Sequence, residues 1–275
     1  MSTKRHLWLG LLAIVLFGVV FFVPFAFILF TAAKTQTEAG ELQFSLPTTW
    51  ALLQNVKDAL AARDYMLIIA FINSIVLTVV SVAVLVVLSA LVAYVVQRRQ
   101  SRWSGLVNFL VLCGLIIPPA VVPTVWVLQS LGLFKTLTGL IFIEIAFGLA
   151  FCVLLFRAFI ASIPRDLDEA AIIDGASPTR LFFKIIFPLL RSVMVTVIVV
   201  QSVAIFNDFA NPLYFLPGDE NATVQLTVFN FQSQFNTQYN LLFADILLIT
   251  IPPLLMYMFL NRRIVEGMTA GAVKG

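Results

Sequence analysis

Six long apolar runs decide what this chain can become: Leu7–Ala32, Tyr65–Val96, Leu106–Gln129, Leu140–Phe156, Ser192–Leu216 and Leu241–Leu260. An apolar stretch of about 17–25 residues is long enough to cross the hydrocarbon core of a bilayer as a helix. Backbone groups in lipid must be satisfied internally, which leaves helices or closed barrels. A barrel would show segments of about ten residues with alternating polarity, and these runs do not alternate. The expectation is an all-α integral membrane protein with six transmembrane helices. The chain is only 11% charged, where a soluble domain carries roughly 25%. A signal-peptide core spans about 7–15 residues, so the longer first run reads as a retained helix.

The basic residues orient the spans. With the N-terminus inside, thirteen of the seventeen Lys and Arg fall in inner segments: Lys4, Arg5, Arg98, Arg99, Arg102, Arg157, Arg165, Arg180, Lys184, Arg191, Arg262, Arg263 and Lys274. The outer segments hold Lys34, Lys57, Arg63 and Lys135. This asymmetry is the positive-inside pattern. It places both termini in the cytoplasm and gives the basic charge a membrane origin, with no nucleic-acid partner. The two cysteines, Cys113 and Cys152, lie inside apolar runs and set up no disulfide framework. The single histidine, His6, is near the N-terminus, so neither a metal site nor a His-based catalytic site is expected.

One transmembrane domain is expected over residues 1–275. Its first helix covers 7–32, its core about 65–262, an inner loop 161–190 and a tail 263–275. The outer segment Thr31–Asp64 contains an amphipathic piece, "WALLQNVKDALAARD", which reads as a surface helix. "IIPPAVVPTVW" places Pro118, Pro119 and Pro123 inside the third run, where proline removes backbone bonds and bends a helix.

The inner loop between runs four and five is a polar island. In "SIPRDLDEAA", Ser162 and Pro164 stand at a helix start, with Asp166, Asp168 and Glu169 near its positive end. Gly175 should turn the chain. "SPTRLFFKIIF" restarts a helix, with Ser177 as cap and Pro178 as first residue, and Pro188 closes the segment. The result is two short helices joined at Gly175. Arg180 and Lys184 are four apart and share a face. Ala170, Ala171 and Gly175 permit close approach of another backbone. Two readings of the island stand on physics alone: an interfacial loop whose basic residues meet anionic lipid, or a loop that docks a partner.

"EAAIIDGASPTRLFFKIIFPL" resembles the EAA loop of ABC-transporter permeases, the membrane subunits of binding-protein-dependent importers. Glu169, Ala170, Ala171, Gly175, Ile185 and Pro188 match that motif in spacing, and Phe187 stands where leucine is usual. "INSIVLT" near Asn73, "FNDFANPL" from Phe206 and the tail "VEGMTAGAVKG" look like the MalG-type permeases of carbohydrate importers. Here Phe206 replaces the usual tryptophan and Asp208 the usual glutamate. The resemblance implies that the loop is a coupling helix seated in a groove of an ATPase subunit. Its ATPase-coupling residues would be Glu169, Ala170, Ala171, Asp174, Gly175, Arg180 and Pro188. It also implies a second, MalF-like permease, two ATP-binding subunits, an extracytoplasmic solute-binding protein, a place in the inner cell membrane among its lipids, and a tail that reaches toward the ATPase pair.

No Lys follows a Gly, so a P-loop is absent and this chain is not itself the ATPase. No cofactor is expected on it; ATP and Mg would be held by the partner ATPase. A stand-alone secondary transporter would need ionisable groups near the bilayer midplane. The candidates Glu144, Asp208 and Asp245 fall nearer the outer ends of their runs, and no basic residue shares their layer. A purely structural membrane subunit would have no use for a coupling loop. The expected solute is a sugar or oligosaccharide, with a polyamine as the alternative. Asn207, Asp208 and Asn211 are expected to line the solute path or to brace it against the second permease, and Asp208 suits the bracing role better. The outer segment 217–240, rich in amides and free of Lys and Arg, is the expected contact for the binding protein.

Overall fold

A computed structural model describes residues 2–98, 102–232 and 237–272, with side chains placed from residue 10 to residue 258 within those ranges. Every regular element among the described residues is helical. The order is α1 (Ser2–Ala33), α2 (Gln36–Gly40), α3 (Leu52–Arg98), α4 (Ser104–Ile116), α5 (Val121–Ser130), α6 (Leu137–Ala161), α7 (Asp166–Ile173), α8 (Pro178–Leu181), a π-helical turn (Phe182–Ile186), α9 (Phe187–Leu189), α10 (Arg191–Phe206), α11 (Ala210–Phe215), α12 (Val224–Thr227), a 3-10 turn (Val228–Phe231) and α13 (Tyr239–Ala272).

Four stretches are each long and apolar enough to cross a membrane: Gly10–Ala33, Leu52–Arg98, Leu137–Ala161 and Tyr239–Met258. The third and fifth apolar runs are not continuous helices. α4 and α5 meet at 117° across Ile117–Ala120, and the fifth run breaks between α10 and α11 at Asn207–Phe209; ahead of that run, the α8–α9 segment meets α10 at 75°. Counting each bent pair as one span gives six. The first bend follows from Pro118 and Pro119. Neither ring nitrogen can donate, and proline pushes its predecessor out of helical conformation, as Ile117 at ψ 119° shows. Pro123 sits in the first turn of α5, where no donor is missed.

The chain divides into two compact units, Met1–Ala70 with Val224–Pro252, and Phe71–Thr223 with Pro253–Gly275. In the first unit, α3 begins as the expected amphipathic helix. The chain then turns at Ala62–Tyr65, where Arg63, Asp64 and Tyr65 have positive φ, before the apolar helix starts. A small core forms from Ala32, Ala59, Phe231, Leu242 and Ala244. Polar ties lock the same region. Asn55 Nδ2 donates to the carbonyls of Ala32 and Lys34 at 2.8 Å, and Asn240 Nδ2 donates to Asn55 Oδ1 at 2.8 Å. Lys34, which the sequence places in an outer segment, is only 1% exposed; its ammonium donates to Gln43 O at 2.8 Å and Ser45 Oγ at 2.9 Å.

In the second unit, α3, α6, the α8–α9 segment and α10 share one core, with Leu85, Leu140, Phe156, Ile160, Ile186, Leu190 and Val197 fully enclosed. Gly148 lets α6 pack tightly. A Cβ there would lie 3.0 Å from Leu85 Cδ1 and 3.2 Å from Gln201 Oε1. On α6, Arg157 Nη1 donates to Asn108 Oδ1 of α4 at 2.5 Å. The tail beyond residue 263 is not an irregular end: α13 continues as helix to Ala272, and 273–275 lie outside the described residues.

Candidate functional site: the polar island and the broken fifth span

The polar island folds as two short helices about Gly175. α7 carries Asp166, Asp168 and Glu169 in its first turn, where carboxylates favour the helix dipole. The Gly175 N–H donates to Ile172 O at 3.0 Å and the Ala176 N–H to Ala171 O at 2.9 Å, with Gly175 at φ +75°. That paired reverse bonding is a Schellman motif, and it needs a residue that tolerates left-handed backbone. Ser177 Oγ then accepts the Arg180 N–H at 3.3 Å and Pro178 opens α8. Ser162 plays a different part from the one its sequence position suggests. It ends α6, and its hydroxyl donates to Phe159 O at 2.7 Å.

Two faces of the island separate. The inner face is Ala171, Leu181, Phe182 and Ile186, all buried. Phe182 lies 5.4 Å from the Tyr94 ring of α3 and 5.6 Å from Phe187. The outer face carries Glu169, Ala170, Asp174, Gly175, Arg180 and Lys184, all exposed, together with Ile172 and Ile173. Ile173 is 85% exposed, an apolar side chain that nothing in its own chain covers. The small residues of the island differ in their surroundings. Ala171 is small because α7 packs on its own core, and it does not face outward. Gly175 has open space where a Cβ would sit, so its need for glycine within this chain is the positive φ. Pro188 lies in the first turn of α9, following the π-helical turn. With no N–H, it leaves the Lys184 carbonyl without its ordinary helical donor, which fits a local change in bonding pattern.

The island is tied to the end of α3 by side chains that the sequence reading did not connect. Tyr94 Oη donates to Asp168 Oδ1 at 2.9 Å, Arg98 Nη2 lies 3.2 Å from Asp168 Oδ2, and the same nitrogen donates to Ile163 O at 2.9 Å. A cavity of about 260 Å³ adjoins these groups, bordered also by Arg165, Glu169 and Ile172.

The second polar feature sits where the fifth span breaks. α10 ends at Asn207, and Asp208 Oδ1 accepts the N–H groups of Ala210 at 2.9 Å and Asn211 at 3.3 Å. The carboxylate thus caps the short α11 that follows. Asn211 Nδ2 donates to Glu144 Oε1 of α6 at 3.3 Å, and Glu144 is 6% exposed. Glu144 therefore faces protein and not a lipid interface, and it joins the Asn207–Asp208–Asn211 group that the sequence singled out. Asn207 and Tyr214 are exposed. Asp245, in the first unit, is fully buried and accepts from Thr227 Oγ1 at 3.0 Å. Among the described residues no group of His, Cys, Asp and Glu could hold a metal ion.

Comparison with known proteins bears on both features. Residues 86–270 match the family described as binding-protein-dependent transport system inner membrane component. The chain is 33% identical over 255 residues to the probable starch degradation products transport system permease protein AmyC of Thermoanaerobacterium thermosulfurigenes, covering 91% of each chain. It is 30% identical to the diacetylchitobiose uptake system permease protein NgcG of Streptomyces coelicolor, covering 99% of this chain and 91% of that one. The fold matches a chain in the crystal structure of a bacterial ABC transporter that imports the acidic polysaccharide alginate, with TM-score 0.82, 19% identity, and 95% and 98% of the two chains covered. The family match takes in the whole polar island and the broken fifth span, and the chain belongs to the inner membrane components of binding-protein-dependent transport systems.

Proposed function

We propose that this chain is the membrane permease of an ATP-driven importer for a sugar or oligosaccharide, which an extracytoplasmic binding protein delivers. The observation that carries the reading is the polar island. It is a rigidly turned pair of helices that buries one face on its own core and leaves Ile172, Ile173, Glu169 and Arg180 uncovered. A loop built that way suits docking in a partner groove better than lying loosely on lipid. The relatives' own descriptions, starch degradation products and diacetylchitobiose, support a saccharide as solute.

In this reading Glu169, Ala170, Asp174, Gly175 and Arg180 meet the ATPase, while Ala171 and Pro188 shape the loop from within. ATP and Mg are bound by the partner ATPase, and this chain contributes no hydrolytic group. The second permease completes the solute path, both termini are cytoplasmic, and the complex sits in the inner cell membrane. Asn207 and the exposed ring of Tyr214 offer amide and aromatic surface suited to a neutral sugar. Asp208 and Glu144 hold the broken helix that presents them.

The test is uptake by the four-component system in proteoliposomes. Labelled maltotriose, chitobiose and putrescine are offered in turn, with ATP inside or outside. The reading expects saccharide uptake that needs internal ATP and the binding protein. Uptake driven by an ion gradient without ATP would contradict it, and uptake of putrescine alone would move the solute class to polyamines.

A further inference from the structure

The coupling loop must do more than dock: its movement has to reach the spans. A side-chain cluster outside the docking face connects it to one of them. Asp168 lies in the first turn of α7, one residue before Glu169. It accepts from Tyr94 Oη at 2.9 Å and faces Arg98 Nη2 at 3.2 Å. Arg98 also closes onto Ile163 O at 2.9 Å, just past the end of α6. The ion-pair side chains are 9% and 13% exposed, so water screens them little. Three elements meet on one carboxylate and one guanidinium: α3, the end of α6, and α7.

The geometry points to Tyr94, Arg98 and Asp168 as a clamp that makes α7 and the inner end of α3 move together, so that displacement of the docked loop is transmitted to the second span. These are positioning residues that touch neither ATP nor solute. Two details favour a mechanical role over simple packing. Breaking either side leaves a charge without its partner in a nearly closed site, so the clamp resists opening. The Arg98 guanidinium holds two elements at once, facing Asp168 Oδ2 at 3.2 Å and donating to Ile163 O at 2.9 Å, so the start of α7 and the end of α6 are fixed to the same point of α3. The π-helical turn of the same loop adds a second hold, since the Phe182 ring lies 5.4 Å from the Tyr94 ring, tilted by 50°. The clamp rests on the importer reading, because without a docked ATPase there is no displacement to transmit.

The experiment uses the assembled complex in proteoliposomes and compares ATP hydrolysis with and without loaded binding protein. Asp168→Asn and Arg98→Gln are each expected to assemble and to keep the unstimulated rate. Stimulation by the binding protein should fall about tenfold, within the usual size of an inter-site coupling. Tyr94→Phe, which removes a single oxygen and is safe for folding, should lose less. The exchanged pair, Arg98→Asp with Asp168→Arg, should recover to within about threefold of the parent, because contacting residues are non-additive. Stimulation within twofold of the parent in both single variants would overturn the clamp. So would a parallel fall of assembly, basal rate and stimulated rate, which marks a role in folding alone. If the parent complex itself shows no stimulation by binding protein, the importer reading fails instead.

Discussion

At the scale of single residues, the decisive positions combine a backbone demand with a charge or a hydrogen bond. Gly175 is the clearest. Its φ of +75° completes the reverse turn that ends α7, and a side chain in left-handed backbone costs roughly 1–2 kcal/mol. Gly175→Ala should therefore lower the thermal stability of the loop while leaving the chain inserted, and Gly175→Asn, which tolerates that region better, should lose less. Gly175→Trp should abolish uptake if, as proposed, the ATPase approaches this exposed site, which has open space in this chain. Limited proteolysis of the loop and uptake assays on the three variants separate the two effects. Wild-type uptake by Gly175→Trp would place the docking surface elsewhere. Glu144 offers a contrasting case. Its Oε1 accepts from Asn211 Nδ2, and glutamine keeps that acceptor. Glu144→Gln should retain most uptake, while Glu144→Ala leaves the Asn211 amide unmatched at a cost of about 1–3 kcal/mol. Equal uptake and equal melting temperature for the two variants would remove Glu144 from the support of α11.

At the scale of elements, the sequence carried local chemistry well and long-range pairing poorly. The two helices of the island, their glycine joint and the Ser177 cap were all readable, because each depends on residues within four positions of one another. Bends at the prolines of the third run were readable for the same reason, although a full break of 117° was not. The break of the fifth span at Asn207–Phe209 contains no proline, and a polar Asn-Asp pair in an apolar run does not reveal whether it continues or caps a helix. The structure resolves this through the Asp208 Oδ1 contacts to Ala210 and Asn211. The clamp was invisible for a different reason. Tyr94, Arg98 and Asp168 are ordinary residues for a membrane–water boundary, and only packing brings positions seventy apart into contact. Ala171 was assigned to the wrong face because its small size suits close packing on either side of a helix.

At the scale of the whole molecule, the apolar surface confirms the class. Phe17, Phe22, Ile116, Trp126 and Met258 are among many large apolar side chains left uncovered, far beyond what a water-soluble monomer exposes. The orientation of the spans rests on the distribution of Lys and Arg, and single-cysteine labelling tests it. Asn55 is unsuitable as an outer reporter because it is buried in hydrogen bonds to Ala32 and Lys34. Gly218, at φ +121°, is strained by any substitution. Leu53, which is 78% exposed, and Glu220 serve for the outside and Thr179 for the inside. In a background lacking Cys113 and Cys152, an impermeant maleimide on intact cells should label Leu53→Cys and Glu220→Cys but not Thr179→Cys. Labelling of Thr179→Cys from outside would invert the topology.

The central claim is that the exposed side of the island seats on an ATPase subunit, and photo-crosslinking from Ile173 tests it most directly. Ile173 is 85% exposed and lies two positions after the Glu-Ala-Ala segment. A benzophenone side chain placed there can therefore report its neighbour without disturbing the inner face. Illumination of the assembled complex should join this chain to the ATP-binding subunit, and the yield should change when ATP is bound. A probe at Leu53 should give no such product. Crosslinks from Ile173 to lipid alone, in a complex that still takes up solute, would contradict the account.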